Sequence, residues 1–213
     1  SVLYLKGQTY NTYIKGVSID GAGLAKTGLF LESFINNRFV NIDITGFTEN
    51  GLKILAGGKP TGNYNIYNRF ESINVTANYD GTNALYMDGV YELSNDTWIS
   101  SFANCSFDAS DVENGNGAYM KFVDSISLYM CKFLGSAAGM VFDARGNNDF
   151  PCGMGFYDCS LSSTQTIESN SDHIRKHYFY GYGTLSGEQL PDNSKLFGVT
   201  DTGELMSMDS LMS

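Results

Sequence analysis

Apolar and polar residues alternate along this chain in short runs, and one hexamer pattern keeps returning. It reads apolar-x-x-(Ile, Val or Cys)-x-apolar, and it fits "IKGVSI" at 14–19, "FVNIDI" at 39–44 and "FESINV" at 70–75. It also fits "FANCSF" at 102–107, "LYMCKF" at 128–133 and "FYDCSL" at 156–161. The hexamers start at Ile14, Phe39, Phe70, Phe102, Leu128 and Phe156, so the pattern recurs every 25 to 32 residues. A fixed period of that length marks a repeat architecture, in which each unit buries its apolar face against its neighbours.

After each hexamer and a Gly- or Asn-rich loop comes a second alternating run. These are "GLFLE" at 28–32, "GLKIL" at 51–55, "ALYMD" at 84–88, "YMKFV" at 119–123 and "GMVFD" at 139–143. Their expected inward pairs are Leu29/Leu31, Leu52/Ile54, Leu85/Met87, Met120/Phe122 and Met140/Phe142, following the period of two of a half-buried strand. A third strand often precedes the next hexamer, as in "SISLY" at 125–129. Three short strands per repeat make one coil of a parallel β-helix, with coils stacked about 4.8 Å apart. The expected fold is therefore all-β: a solenoid of about six coils over residues 1–180, with a small β extension over 181–213 that serves as an oligomerisation or linker segment.

The stacking explains the cysteines. Ile42, Ile73, Cys105, Cys131 and Cys159 fall into one internal column headed by Val17, which asks for small apolar side chains, and Cys behaves as one. Residues stacked in a column point the same way, which is poor disulfide geometry. Ligands 26 to 28 residues apart on parallel strands also lack the convergent spacing of a zinc site. Cys152 lies outside the column. A leucine-rich repeat fits less well. It needs Asn eight residues after its first Leu, and the chain has Phe47, Asn78, Ser110, Ser136 and Thr164 at those places.

Composition supports the strand reading. The 213 residues include 24 Gly and only 3 Pro, with 14 Tyr and 14 Phe. Gly supplies tight turns, and aromatic residues favour strands. With 42% hydrophobic residues the chain can bury a core. A net charge of −10 argues against nucleic acid, which demands clustered Lys and Arg. No apolar run reaches the length of a membrane span, so no membrane insertion is expected. The opening "SVLYLKG" is strand-like and lacks a Met, which reads as a piece cut from a longer protein.

The coils "RFVNIDITGFTENGLKI" at 38–54 and "FANCSF" resemble those of right-handed parallel β-helix proteins of the pectate-lyase-like superfamily. "GVSIDGAG" at 16–23 is similar to their opening coils. Asn41, Ser72 and Asn104, just before the column, look like the turn position where that family stacks asparagines. The likeness covers about residues 14–168. In texture the chain looks most like bacteriophage tailspikes and tail fibres, with irregular Asn- and Tyr-rich coils and the segment "KLFGVTDTGELMSM" at 195–208 following the solenoid. That resemblance implies a right-handed, single-stranded helix and a homotrimer in a phage tail, synthesised in the host cytoplasm. Reduced cysteines suit that compartment. It also implies a bacterial surface polysaccharide as partner. The family's catalytic sets do not carry over, because the paired aspartates, His-Gly and Arg-x-Lys of the polygalacturonase type are absent, as is a pectate-lyase calcium cluster.

Candidate chemistry is therefore read from the side chains. The residues sent outward at the ends of the second strands are Glu32, Leu55, Asp88, Val123 and Asp143. Asp88 and Asp143 lie two coils apart, about 9–10 Å, near the spacing of an inverting glycosidase pair. One would act as general acid and the other as base, with Arg145 beside Asp143. The plainer role for both is a turn aspartate bonding the backbone. Trp98, Tyr86, Tyr91 and Tyr119 offer apolar ring faces to sugars, or pack under the loop before Phe102. The loop "DASDVENGNG" at 108–117 lacks the ordered acidic spacing of a calcium loop. His173 and His177 are four residues apart with no nearby Cys. No metal site and no cofactor are expected. Three functions stay open: a tailspike or tail-fibre domain that recognises polysaccharide, with or without depolymerase activity; a cellular polysaccharide lyase or glycoside hydrolase of this fold; and a structural virion spacer.

Overall fold

A computed structural model describes residues 1–55, 67–89, 100–121, 123, 125–143, 154–167, 177–180, 194–199 and 205–207. Among the described residues there are 17 strands and no helix. None, therefore, is a helix long and apolar enough to cross a membrane. The strands form a large parallel sheet, and the chain visits three ladders of it in rotation. Among the described residues only Ser194–Val199 and Leu205–Ser207 pair antiparallel.

The first ladder is built on the first residue of each hexamer. Ile14 pairs with Phe39, Phe39 with Phe70, Phe70 with Phe102, Phe102 with Leu128 and Leu128 with Phe156. The Phe39 and Phe70 rings stack at 5.0 Å, and those of Phe70 and Phe102 at 4.4 Å. His177–Tyr180 and then Ser194–Val199 continue this ladder.

Two residues later the backbone turns a corner. Gly16, Asn41, Ser72, Asn104, Met130 and Asp158 all have φ between 49° and 69°. This left-handed corner explains the hexamer. In a straight strand residues i and i+3 point to opposite faces; the corner at i+2 reverses the alternation, so both point inward. Asn and Gly tolerate that conformation best, yet Met130 also adopts it, so the corner is set by the stack around it as well as by local preference.

The second ladder follows at once. Val17, Ile42 and Ile73 are in register, and Ile19, Ile44, Val75, Phe107, Phe133 and Leu161 form the adjacent inward row. Cys105, Cys131 and Cys159 extend the column, buried and free as expected. Each thiol donates to a main-chain carbonyl: Cys105 to Ala103 at 3.3 Å, Cys131 to Tyr129 at 3.4 Å and Cys159 to Leu128 at 3.3 Å. The Cys131 thiol is pushed up to about 12, first by its hydrogen bond with Cys105, which leaves it inert as a nucleophile. Cys152 lies outside the described residues.

The third ladder departs from expectation at one strand. Leu85 pairs with Ala118 and Met87 with Met120, and these pair in turn with Met140 and Phe142. The inward pair of strand Asn116–Lys121 is thus Ala118/Met120; of the expected pair Met120/Phe122, Met120 points inward and Phe122 lies outside the described residues. Ala118 is fully buried, but its small side chain does not stand out as a core position in the sequence. Val123 is buried in the core and not in the outward row; Lys121 holds that place between Asp88 and Asp143.

The strand start is fixed by asparagines. Asn116 donates to Asn83 at 3.0 Å, and Asn83 to Asn50 at 3.1 Å. A second pair seals the start of the first ladder, where Asn68 Oδ1 accepts from the Asn37 main-chain N–H at 3.1 Å. Other asparagines bond across circuits too: Asn36 donates to Asn11, Asn74 to Asp43 at 3.0 Å, and Asn78 Oδ1 accepts from Gly46 N at 3.1 Å. Asn41 and Asn104 are exposed corner residues instead. The residue after each ladder asparagine must be small. At Gly51 a Cβ would lie 2.1 Å from Val75 Cγ1, because the second and third ladders close on each other there. Inward rows of all three ladders meet in one core.

Candidate functional site

The outer side of the third ladder carries two rows. In the first, Tyr4, Phe30, Lys53, Tyr86, Tyr119 and Val141 are in register. In the second, Lys6, Glu32, Leu55, Asp88, Lys121 and Asp143 are in register. Parallel stacking places like positions about 4.8 Å apart, close enough for rings to stack and for charges to pair.

Aromatic rings dominate the first row. Tyr4 and Phe30 stack at 4.6 Å, and Tyr86 and Tyr119 at 5.5 Å with 14° between planes. Lys53 Nζ sits 5.3 Å from the centroids of both Phe30 and Tyr86, bridging the two pairs by cation–π contact. In the second row opposite charges neighbour each other on either side of Leu55. Lys6 pairs with Glu32 at 3.4 Å, and Lys121 stands between the two aspartates.

Hydroxyls tie the rows together. Tyr4 donates to Glu32, Tyr86 to Asp88 Oδ2 at 3.1 Å, and Tyr119 to Asp143 Oδ2. Burial is the main cause that raises the Asp88 carboxyl above the usual carboxylate range; Lys121 and the Tyr86 hydroxyl oppose it, and the Asp143 charge adds to it. Burial, then Asp88, also pushes the Tyr86 hydroxyl up, so Tyr86 remains a donor at neutral pH. Asp88 is half-buried and Asp143 is 1% exposed.

Four of the residues singled out from the sequence thus share one outer face: Asp88, Asp143, Tyr86 and Tyr119. Arg145, Trp98 and Tyr91 lie outside the described residues. Asp88 and Asp143 are two strand spacings apart, with Lys121 at the intervening position. An inverting pair holds its water between the two carboxyls; here a cation occupies that step of the row, and one carboxylate is buried. The arrangement suits binding better than hydrolysis. Lys53 and Lys121 escaped the sequence reading. Counting five residues on from Asn50, Asn83 and Asn116 would have found Leu55, Asp88 and Lys121 as equivalent positions. The loop after the second ladder is wound on itself, with Asp108 Oδ1 accepting from Ser110 N at 2.9 Å. No group of residues suited to hold a metal ion occurs among the described residues.

The raised Asp88 carboxyl has a definite sign in a pH titration. A carboxyl whose folded value lies above its unfolded value destabilises the fold once ionised. Stability is therefore lost as pH rises from the unfolded value through the folded one. Asp88→Asn is expected to flatten the thermal midpoint across that acidic window and to be at least as stable as wild type at neutral pH. A steeper fall in the variant would contradict this assignment.

No family model matches the chain, and comparison with characterised proteins finds no relative. Among solved structures, the chain is similar to ORF18 of Geobacillus virus E2, with a TM-score of 0.61 and 14% identity over 92% of this chain. The match covers 41% of that protein. At such identity the likeness is one of fold, and the fold it shares is that of a phage protein.

Proposed function

We propose that this chain is a domain of a bacteriophage tailspike or tail fibre. It is a right-handed, single-stranded parallel β-helix that holds a bacterial surface polysaccharide. The fold likeness to a phage protein and the three parallel ladders support the architecture. One observation carries the binding role: the stacked Tyr86–Tyr119 pair, continued by Lys53 and flanked by Asp88 and Lys121. Partly exposed aromatic faces beside hydrogen-bonding charges are what a polyhydroxylated ligand requires, since sugar C–H faces pack on rings while hydroxyls bond the flanking groups. In this reading the domain works in the virion as a homotrimer, whose three copies multiply a weak site.

The test is binding of the purified protein to host cells and isolated envelope polysaccharide, with its mass followed by light scattering. Wild type is expected to bind as a trimer, and Tyr86→Ala to weaken binding about tenfold. Absence of any cell or glycan binding would leave the structural-spacer reading in its place. The raised Asp88 carboxyl favours a second reading, in which Asp88 donates a proton during glycan cleavage. That reading requires depolymerisation that Asp88→Asn and Asp143→Asn abolish; unchanged turnover in either variant removes it.

A further inference from the structure

The outer side of the first ladder carries a separate groove of about 520 Å³, within the range of ligand pockets. Arg69, Ser101 and Ser127 are in register along it. Its floor is recessed because the row beyond Arg69 carries the small side chains of Ser101 and Ser127. Around the floor stand Tyr67, 55% exposed, and Tyr129, 40% exposed. Tyr129 stacks on Tyr157 at 4.8 Å. The Tyr157 ring folds over Gly155, where a Cβ would meet it at 2.8 Å.

The groove's charges are unevenly matched. Glu71, which also lines it, is taken by Arg38 at 2.7 Å. Arg38 in turn lies over the Tyr13 ring, 5.7 Å from its centroid. Among the described residues the Arg69 guanidinium has no side-chain partner. The Arg69 guanidinium thus lines the groove without a carboxylate of its own, and its planar fork suits a bidentate carboxylate. Serine hydroxyls on the floor and an exposed tyrosine face at the side suit a sugar ring.

We infer that this groove is a second saccharide site, taking a sugar unit that bears a carboxylate held by Arg69, with its ring against Tyr129 and its hydroxyls on Ser101 and Ser127. It lies on another ladder from the Asp88–Asp143 rows, and it rests on the proposed function only for the general class of ligand. The acidic surface elsewhere limits the ligand to sparse charge, about one carboxylate per repeat, since a dense polyanion would be repelled.

The probe is a hyaluronan hexasaccharide, which has one glucuronate in each disaccharide, titrated into the whole chain by NMR or calorimetry. The control is the same hexasaccharide with its carboxylates reduced to alcohols. The acidic form is expected to bind at least about tenfold tighter than the reduced form, more weakly at high salt. Arg69→Ala should abolish that preference, and Arg69→Lys should retain part of it. Arg69 is exposed, so circular dichroism should show the variants folded. Equal binding of both forms, wild-type binding by Arg69→Ala, or no binding of the acidic form would overturn the inference. If host polysaccharide is bound normally by Arg69→Ala but lost in Tyr86→Ala, the groove fails and the third-ladder site stands. If no glycan binds at all, both fail.

Discussion

Phe102→Ala is expected to lower stability by about 3–5 kcal/mol, the cost of emptying a large aromatic site in a packed core. Phe102 is fully buried and lies in the middle of the first ladder. Its ring stacks on Phe70 at 4.4 Å and meets Phe107 edge-on at 6.0 Å. The truncation therefore strips contacts in two ladders at once. Nothing can fall into the gap, because the neighbouring circuits are held in register by the main-chain ladders above and below. Phe102→Leu should cost far less, under about 1.5 kcal/mol, since Leu128 already occupies the next step of the same row. Urea unfolding followed by circular dichroism reads both. A Phe102→Ala midpoint no lower than that of the neighbouring Ser101→Ala would show that the ring column does not hold the circuits together.

Asn68→Ala is expected to cost roughly 1–3 kcal/mol, through the loss of two buried hydrogen bonds and not through lost apolar area. Asn68 is 2% exposed. Its Oδ1 accepts from Asn37 N at 3.1 Å, and its Nδ2 donates to the Phe34 carbonyl at 2.8 Å. Asn37 repeats the device one circuit earlier, accepting from Thr12 N at 2.7 Å. Removing the Asn68 amide leaves a buried donor and a buried acceptor without it. Asn68→Asp is the sharper experiment. The acid keeps the acceptor for Asn37 but turns a carboxylate oxygen toward the Phe34 carbonyl. Burial and that repulsion raise the folded value of the new carboxyl above its unfolded one. The penalty is then full above the folded value and fades as pH falls to the unfolded one. Recovery of the thermal midpoint in acid, seen in Asn68→Asp and absent in Asn68→Ala, is the expected signature. Equal curves would mean that the amide donor does not matter.

The hexamers could be read from sequence because the inward positions are large. Phe39, Phe70 and Phe102 repeat in a row, and the column after the corner repeats Ile and Cys. The thiols were legible for the same reason: no ligand or disulfide geometry is available to residues stacked in one column. The misplacement at 119–123 has the opposite cause. Ala118 fills an inward position where its neighbours above and below are Leu85 and Met140, and an alternation count passes over alanine. The asparagine ladder was present in the sequence as "NGL", "NAL" and "NGA" at 50–52, 83–85 and 116–118, but its meaning depends on hydrogen bonds between circuits. Of the site, the acids and tyrosines at 86, 88, 119 and 143 were visible as residue types. The two lysines beside them were not, and neither was the Arg69 groove, since both arise from register between distant segments.

The corner residues have an evolutionary consequence. Gly16, Asn41, Ser72, Asn104, Met130 and Asp158 close the same bend with five different residue types, so the bend is inherited from the neighbouring circuit more than from its own letter. A chain built this way is copied by templating: each turn shapes the next. Gene duplication or deletion of one complete turn, such as a segment running from one Phe of the first ladder to the next, preserves every junction. A change of a few residues between ladders is absorbed in the loops, as the 25- to 32-residue circuits show, whereas one inside a ladder strand turns its inward row outward. Such a protein should lengthen and shorten among its descendants in whole turns, while its outer faces diverge freely.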